Sequence, residues 1–171
     1  MNPIVISDPS LRDGNHSVKH QISINSVERY CQFAESANIP IVEVGHGNGL
    51  GASSLLIGQS LHSDFDILSI ARKNLSSSKL SVHSIPGIST INDDILPAID
   101  CGVDIFRIAT HCTEATLSKS HIEFLKNNSK TVHGVLMMSA LIDVKELVSQ
   151  AKIMEDYGAE AIIIMDSTGT Y

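Results

Sequence analysis

The chain has 171 residues, 43% of them hydrophobic, and a formal net charge of −7 at pH 7. This composition is that of an ordinary globular protein and excludes a disordered chain. The acidic balance and the lack of tryptophan argue against nucleic-acid binding, and the longest apolar stretch, Ala159 to Met165, is far shorter than the roughly 20 residues of a membrane span.

The N-terminus lacks the basic start and long apolar stretch of a secretory signal, so a cytoplasmic location is expected. Cys31, Cys101 and Cys112 are odd in number and widely spaced, which indicates reduced thiols and not a disulfide framework.

Short, β-branched segments predict six buried parallel strands. In chain order they are Ile4 to Ser7, Ile41 to Gly45, Leu80 to Ile85, Ile105 to Thr110, Thr131 to Met138 and Ala161 to Met165. Helical spacing of apolar residues predicts helices between some of them, over Ser26 to Ala37 and over Asp143 to Tyr157, with Gly158 as the stop of the second.

The strand spacing of about 25 to 40 residues is typical of βα units with parallel strands. Such units build either a doubly wound open sheet or an eight-stranded barrel. Reactive or small residues follow every predicted strand, which favours the barrel. The predicted fold is therefore α/β of the TIM-barrel type with about six of its eight units, an incomplete barrel, since a complete one needs around 250 residues.

The first strand is followed by SDPSLRDGNH, which places Arg12, Asp13 and His16 together at a strand end. Asp13 offers a hard oxygen ligand, Arg12 a fixed positive fork for an enolate or carboxylate, and His16 a group that moves protons at neutral pH. By itself, the Arg–Asp pair is equally typical of an exposed turn.

Several motifs together resemble the metal-dependent pyruvate aldolases and acyltransferases that share a barrel with an Asp-Arg-Glu site. SDPSLRDGNH opens that superfamily's signature, and three further segments look specifically like the 4-hydroxy-2-oxovalerate aldolases: VEVGHGNGLGASS (Val42 to Ser54), RIATHCTEATLSKSHI (Arg107 to Ile122) and GVLMMSALI (Gly134 to Ile142). Asn48 stands where that family commonly has Asp. This difference leaves open which aldehyde is released.

The resemblance implies a carbon–carbon lyase that cleaves a 4-hydroxy-2-oxoacid to pyruvate and an aldehyde, as in the catabolism of aromatic hydrocarbons. Such a cleavage leaves a carbanion on the keto acid, which either a lysine Schiff base or a metal ion can stabilise. No lysine projects from the interior of a predicted strand, because Lys79 and Lys130 fall at strand beginnings and the others in loops or helices, so the metal is preferred.

The resemblance implies a divalent metal, manganese first, with magnesium or cobalt as alternatives, bound by Asp13. It implies that Arg12 stabilises the enolate, that His16 is the base on the 4-hydroxyl, and that Ser167, like Arg12 and Asp13, contacts the substrate.

The family also carries a His-x-His pair of metal ligands on its seventh strand, a later tyrosine and a C-terminal helical region that pairs with an acylating aldehyde dehydrogenase. The expectation is that residues 1–171 are the N-terminal part of such a barrel, without units seven and eight or the helical region, and weakly active or inactive alone. We expect self-association through open barrel edges, whereas the dehydrogenase partnership is doubtful because it depends on that helical region.

Two alternatives stay open: a related synthase or lyase that acts on acyl-coenzyme A, and a non-catalytic truncated paralogue that binds a full-length partner. Smaller motifs also have two interpretations. His46 either contacts substrate or satisfies loop backbone, and Glu43 needs a buried partner such as Arg107. His111 and Cys112 are expected to point apart, as adjacent strand residues do.

Overall fold

The computed structural model describes residues 4–169 of the chain. These residues form two compact units, the first made of residues 4–83 and 88–104 and the second of residues 84–87 and 105–169. Within each unit the elements alternate between strand and helix.

The first unit carries strands β1 to β3, which are neighbours in the sheet in the same order as in the chain. β1 pairs with β2 in parallel, and β2 with β3, so that Glu43 lies opposite Ser81. A register shift between Asp8 and Leu11 marks an irregularity in β1 around Pro9. The elements are β1 (Ser7–Leu11), α1 (Ile24–Ser36), β2 (Ile41–Val44), α2 (Asp64–Asn74), β3 (Lys79–Ser84) and α3 (Leu96–Asp100), the last preceded by a π-helical turn (Ile91–Ile95).

The second unit repeats this pattern with strands β4 to β6, again in chain order and again parallel. Arg107, His133 and Ala161 are at the same level of the three strands, so Arg107 and His133 share one face of the sheet. The elements are β4 (Ile105–His111), α4 (Lys119–Asn127), β5 (Thr131–Met137), α5 (Val144–Asp156) and β6 (Ala161–Ile164).

Helix α1 begins where the sequence provides an N-cap, since the Ser23 side chain accepts a hydrogen bond from the backbone N–H of Ser26. Asp143 caps α5 in the same way, through the N–H of Glu146. Gly158, with a φ of +111°, follows α5 in a backbone conformation that favours glycine, as predicted.

The first strand does not begin where its composition predicted. Ile4, Val5 and Ile6 precede it and are 95%, 60% and 57% exposed, whereas β1 starts at Ser7. The pairing partner decides this boundary, because Ser7 is the first residue in register with Ile41 of β2. The motif SDPSL is therefore the strand itself, and Arg12 follows its last residue directly.

The core of each unit lies between its strands and helices. Val42, Val44 and Leu80 are fully buried in the first unit, as are Phe106 and Ile108 in the second. Burial is weaker at the end of the second unit, where Met154 is the one buried residue of α5 and Ile164 of β6 is 45% exposed.

Six βα units with parallel strands in sequential order give an α/β fold of the TIM-barrel type, as predicted. Among residues 4–169, no helix has the length and apolar character needed to cross a membrane.

Candidate active site

Arg12 lies at the carboxyl end of β1, beside the carboxyl end of β2. Its Nε donates to Oε1 of Glu43 at 2.6 Å, and its Nη1 donates to Oδ1 of Asp13 at 2.8 Å and to the carbonyl oxygen of Gly47 at 3.2 Å. Arg12 is 6% exposed and Glu43 is fully buried. Three acceptors therefore fix the guanidinium at the end of the two strands.

The Arg12–Glu43 ion pair explains how a charged residue is tolerated inside β2. A buried carboxylate without a partner costs several kcal/mol, whereas a short charge-assisted hydrogen bond offsets that cost. The partner shown for Glu43 in the first unit is thus Arg12, the guanidinium of the sequence motif. Arg12, Asp13 and Glu43 together carry a formal charge of −1, which suits a cation nearby.

Asp13 opens a short 3₁₀ segment (Asp13–Val18) and is the most solvent-accessible member of this group. Its side chain is 67% exposed, and Arg12 engages its Oδ1. The carboxylate therefore has room to bind an ion beside a fixed guanidinium, and as a hard oxygen ligand it fits manganese or magnesium.

One carboxylate is not a metal site. Among the described residues, no group of three or more His, Cys, Asp or Glu side chains is arranged to hold a metal ion. Asp13 fits the expected metal as a single ligand, and the remaining ligands would have to come from elsewhere.

His16 lies in the same 3₁₀ segment, exposed on one side and in contact with Gly47 on the other. A β-carbon built on Gly47 would lie 2.5 to 2.7 Å from three atoms of the His16 ring. Gly47 does not adopt a positive φ. Glycine at position 47 is thus required by the close approach of the imidazole and not by the backbone.

Two further histidines, which sequence reasoning did not assign to the site, lie next to it: His20 contacts His16, and His46 contacts His20. The His20 ring stacks on the His46 ring, with centroids 3.7 Å apart and planes at 15°, and meets the His16 ring edge-on at 5.1 Å and 72°. The spacing of His16 and His20, four residues apart, was the available signal. The ring nitrogens of His46 form hydrogen bonds with the loop backbone, which agrees with one of the two interpretations from the sequence.

The loop after β2 is folded by glycines whose φ angles are positive. Gly49, at +93°, also lies so close to β3 that a β-carbon there would be 2.4 Å from the carbonyl oxygen of His83. The N–H of Leu50 donates to that same carbonyl. The positive φ angles and the close approach to β3 agree with the tight turning that the sequence indicated for these glycines.

Ser167 belongs to the second unit, after β6. Its Oγ accepts a hydrogen bond from the backbone N–H of Met138 at 3.0 Å, and Met138 has a left-handed φ of +57°. The serine is exposed. Because its oxygen accepts from the backbone, its O–H can donate to an incoming oxygen.

The expectation for His111 and Cys112 was wrong in geometry. Cys112 follows the end of β4, and its Sγ lies 3.9 Å from Nδ1 of His111. The pair is still unsuited to catalysis, because burial raises the pKa of the Cys112 thiol, which donates to the carbonyl of Met138 at 3.3 Å. Cys31 and Cys101 are also free thiols, as predicted.

A sequence profile described as HMGL-like matches residues 3–171. The chain belongs to the HMGL-like family. The resemblance noted in the sequence therefore holds over nearly its whole length.

Among curated relatives, 4-hydroxy-2-oxovalerate aldolases of Pectobacterium atrosepticum and Spirochaeta aurantia are each 54% identical over 168 residues. These matches cover 98% of this chain and 49% of each relative. The chain thus spans about half the length of the curated relatives it matches.

Solved structures with low sequence identity share the fold. An N-terminal domain from Bacteroides vulgatus has a TM-score of 0.78 at 24% identity, covering 98% of this chain and 56% of that one. The carboxyl transferase domain of Rhizobium etli pyruvate carboxylase has a TM-score of 0.77 at 16% identity, covering 98% of this chain and 31% of that one. At these identities the likeness shows the fold alone.

Proposed function

We propose that this chain carries one part of the active site of a metal-dependent aldolase that cleaves a 4-hydroxy-2-oxoacid to pyruvate and an aldehyde. The observation that supports this most is the guanidinium of Arg12, held between Glu43 and Asp13 and bonded to Gly47, with the His16 ring on that same glycine. The names of the 54% identical relatives point to the same reaction.

In this proposal Arg12 stabilises the negative charge that develops on the keto oxygen when the bond between C3 and C4 breaks. A preorganised donor at a site of developing charge lowers the barrier because it needs no reorientation during the reaction. Glu43 keeps the guanidinium in place, so Arg12 acts from a fixed position.

His16 removes the proton of the 4-hydroxyl, and this starts the cleavage. Its ring is exposed on one face, where substrate can approach, and is backed by Gly47 and His20 on the other. A positioned general base contributes about 10² to 10⁴ in rate.

Asp13 is proposed as one ligand of a divalent metal, manganese first, which when bound supplies Lewis-acid polarisation of the keto acid. Ser167 is proposed to donate its O–H to the substrate. Partnership with an acylating aldehyde dehydrogenase rests on the resemblance alone.

The test measures pyruvate release from 4-hydroxy-2-oxovalerate with manganese present. The chain is assayed alone and mixed with the half of the Pectobacterium atrosepticum relative that it does not cover. We expect little pyruvate from the chain alone, release in the mixture, and loss of release with Asp13→Asn or Arg12→Met. His16→Ala should lower the rate by about 10² or more while manganese binding persists.

A different experimental result would contradict each part of this proposal. Full turnover by the chain alone would refute the need for further ligands. A mixture that condenses pyruvate with acyl-coenzyme A instead of releasing an aldehyde would point to the related synthases or lyases. Loss of manganese binding in His16→Ala, equal to that in Asp13→Asn, would contradict the assignment of His16 as a base.

A further inference from the structure

We propose that His20, stacked on His46, is a positioning residue that holds the His16 ring in place; this inference rests on the proposed role of His16. The three rings form a continuous array from the interior to the surface. His46 is fully buried, His20 is 7% exposed and His16 is exposed.

His46 is the fixed end of the array. Its Nδ1 accepts a hydrogen bond from the backbone N–H of Asn48 at 3.0 Å, so the ring proton is on Nε2, which donates to the carbonyl oxygen of Gly58 at 3.0 Å. Both ring nitrogens are therefore used by loop backbone. Any rotation of the ring would break one of these two hydrogen bonds.

His20 is held on His46 by stacking and by a long hydrogen bond of 3.5 Å from the N–H of Gly47 to its Nδ1. Burial lowers the pKa of His20, which favours its neutral ring. A neutral ring can stack on a second neutral ring without charge repulsion.

The backbone under His20 is unusual, which indicates that the ring position is specified. Lys19 and His20 have φ angles of +52° and +61°, a left-handed conformation that residues other than glycine rarely adopt. Such a conformation is unfavourable for these residues and persists where surrounding contacts require it, often at active sites.

Two glycines make room for the array. A β-carbon on Gly58 would lie 2.7 Å from Cδ2 of His20, and one on Gly47 would lie 2.5 Å from Nε2 of His16. Gly47 also bonds Arg12 through its carbonyl and His20 through its N–H. The proposed base and the guanidinium are thus fixed to one peptide segment, which sets their separation.

Placement matters because a displacement of about 1 Å of a catalytic group can cost about 10²-fold in rate. If His20 acts only through its ring, a phenyl ring should replace it, whereas a side chain without a ring should not. His20→Phe keeps the stack, and His20→Asn keeps a polar group that tolerates the left-handed backbone. Comparison of the two variants separates the effect of the ring from the effect of its hydrogen bond.

The experiment records the ring ¹H–¹³C resonances of His16, assigned with His16→Ala, and the kcat and KM for pyruvate release in the mixture described above. We expect His20→Asn to shift the His16 resonances and to lower kcat about 10- to 100-fold with little change in KM. His20→Phe should restore both. His62→Asn, which removes a histidine from the loop before α2, is the matched control and should change neither.

Unchanged His16 resonances in folded His20→Asn or His20→Gln would overturn the proposal, as would an equal loss of kcat in His20→Phe. If neither ring-less variant folds, a nuclear Overhauser effect between the His16 and His20 rings of the wild-type chain decides, and its absence counts against positioning. An inactive wild-type mixture whose His16 resonances still depend on His20 would refute the aldolase function and leave the positioning role supported.

Discussion

At the scale of single residues, the arrangement of the site depends on Gly47. Its carbonyl accepts from Arg12, its N–H donates to His20, and its α-carbon is covered by the His16 ring. Each contact comes from a different atom of the same residue. A change at this position therefore affects the proposed charge stabiliser Arg12, the proposed positioning ring of His20 and the proposed base His16 at once.

Gly47→Ala should lower kcat about 10- to 100-fold, since the new methyl group must displace the imidazole. The melting temperature should change little, because Gly47 does not have the positive φ that would strain alanine, and the His16 side chain that must move is exposed. Steady-state kinetics and thermal unfolding monitored by circular dichroism measure the two effects.

Gly14→Ala is the control for this substitution. Gly14 lies within the same motif, does not have a positive φ, and has no neighbouring atom within 4 Å of the place that an alanine methyl group would occupy. Equal losses of kcat in the two variants would show that the motif is sensitive to any added methyl group, and that the contact with His16 is not the cause.

The residue scale is also where sequence reasoning had its clearest limits. Arg12, Asp13 and His16 were identified because they are close together in the chain and their chemistry is recognisable. His46 reaches the array only because the loop after β2 folds back on the segment that follows β1. No local pattern encodes such a packing contact.

At the scale of elements, α1 is tied to the loop that leads into β3. Glu35, near the end of α1, accepts hydrogen bonds from the hydroxyl of Ser76 at 2.6 Å and from the N–H groups of Ser77 and Ser78 at 2.7 and 3.0 Å. The Ser76 hydroxyl, followed by the two N–H groups, holds the pKa of Glu35 well below its usual range. The carboxylate thus bonds three consecutive residues of the loop.

Glu35→Gln should make the free energy of unfolding depend less on pH in the acid range. Because the folded pKa lies below the unfolded value of about 4.3, the stabilisation is present above that pH and is lost as the pH falls toward the folded pKa. Urea unfolding of both proteins at neutral and acid pH measures this, and the difference between them should shrink in acid.

Glu28→Gln, on the same helix, is the control and should leave the pH dependence unchanged. A Glu35 variant whose unfolding midpoint differs from wild type by the same amount at every pH would contradict the assignment. The loss would then come from packing and not from the carboxylate's charge.

Strands were predicted better than helices, for a physical reason. Strands β2 to β5 are largely buried, as their composition indicated, for example at Ile105 and Ile108. Strand β6 lies where it was predicted but is only partly buried. Helices α2 to α4 were not assigned. Two of them are short or irregular, since α4 has 9 residues and α3 has 5 residues that include a proline and follow a π-helical turn.

At the scale of the whole molecule, one group of exposed apolar side chains lies at the end of the second unit. Leu141, Val144 and Val148, before and along α5, are 60%, 75% and 49% exposed, and Ile164 of β6 is 45% exposed. β6 pairs with β5, and the sheet order places it at an edge. Exposed apolar groups beside a strand edge favour association.

We therefore expect the chain to self-associate as its concentration rises. Val144→Lys and Val148→Lys together should reduce this, because they place charge on the apolar face of α5 without altering buried contacts. Sedimentation velocity over a range of concentrations measures the effect. Ser149→Lys, which adds charge to α5 at an exposed polar residue and removes no apolar group, is the control. A wild-type chain that stays monomeric throughout would contradict the expectation.

The loop between Gly45 and Gly58 is closed by hydrogen bonds between its own residues. The His46 ring bonds both Asn48 and Gly58, and Ser54 and Gly58 exchange backbone hydrogen bonds. These hydrogen bonds close the segment on itself, so we do not expect it to open and close as a lid does. Substrate entry should therefore not wait for it to open, and the amide protons of Asn48 and Gly58 should exchange slowly with solvent.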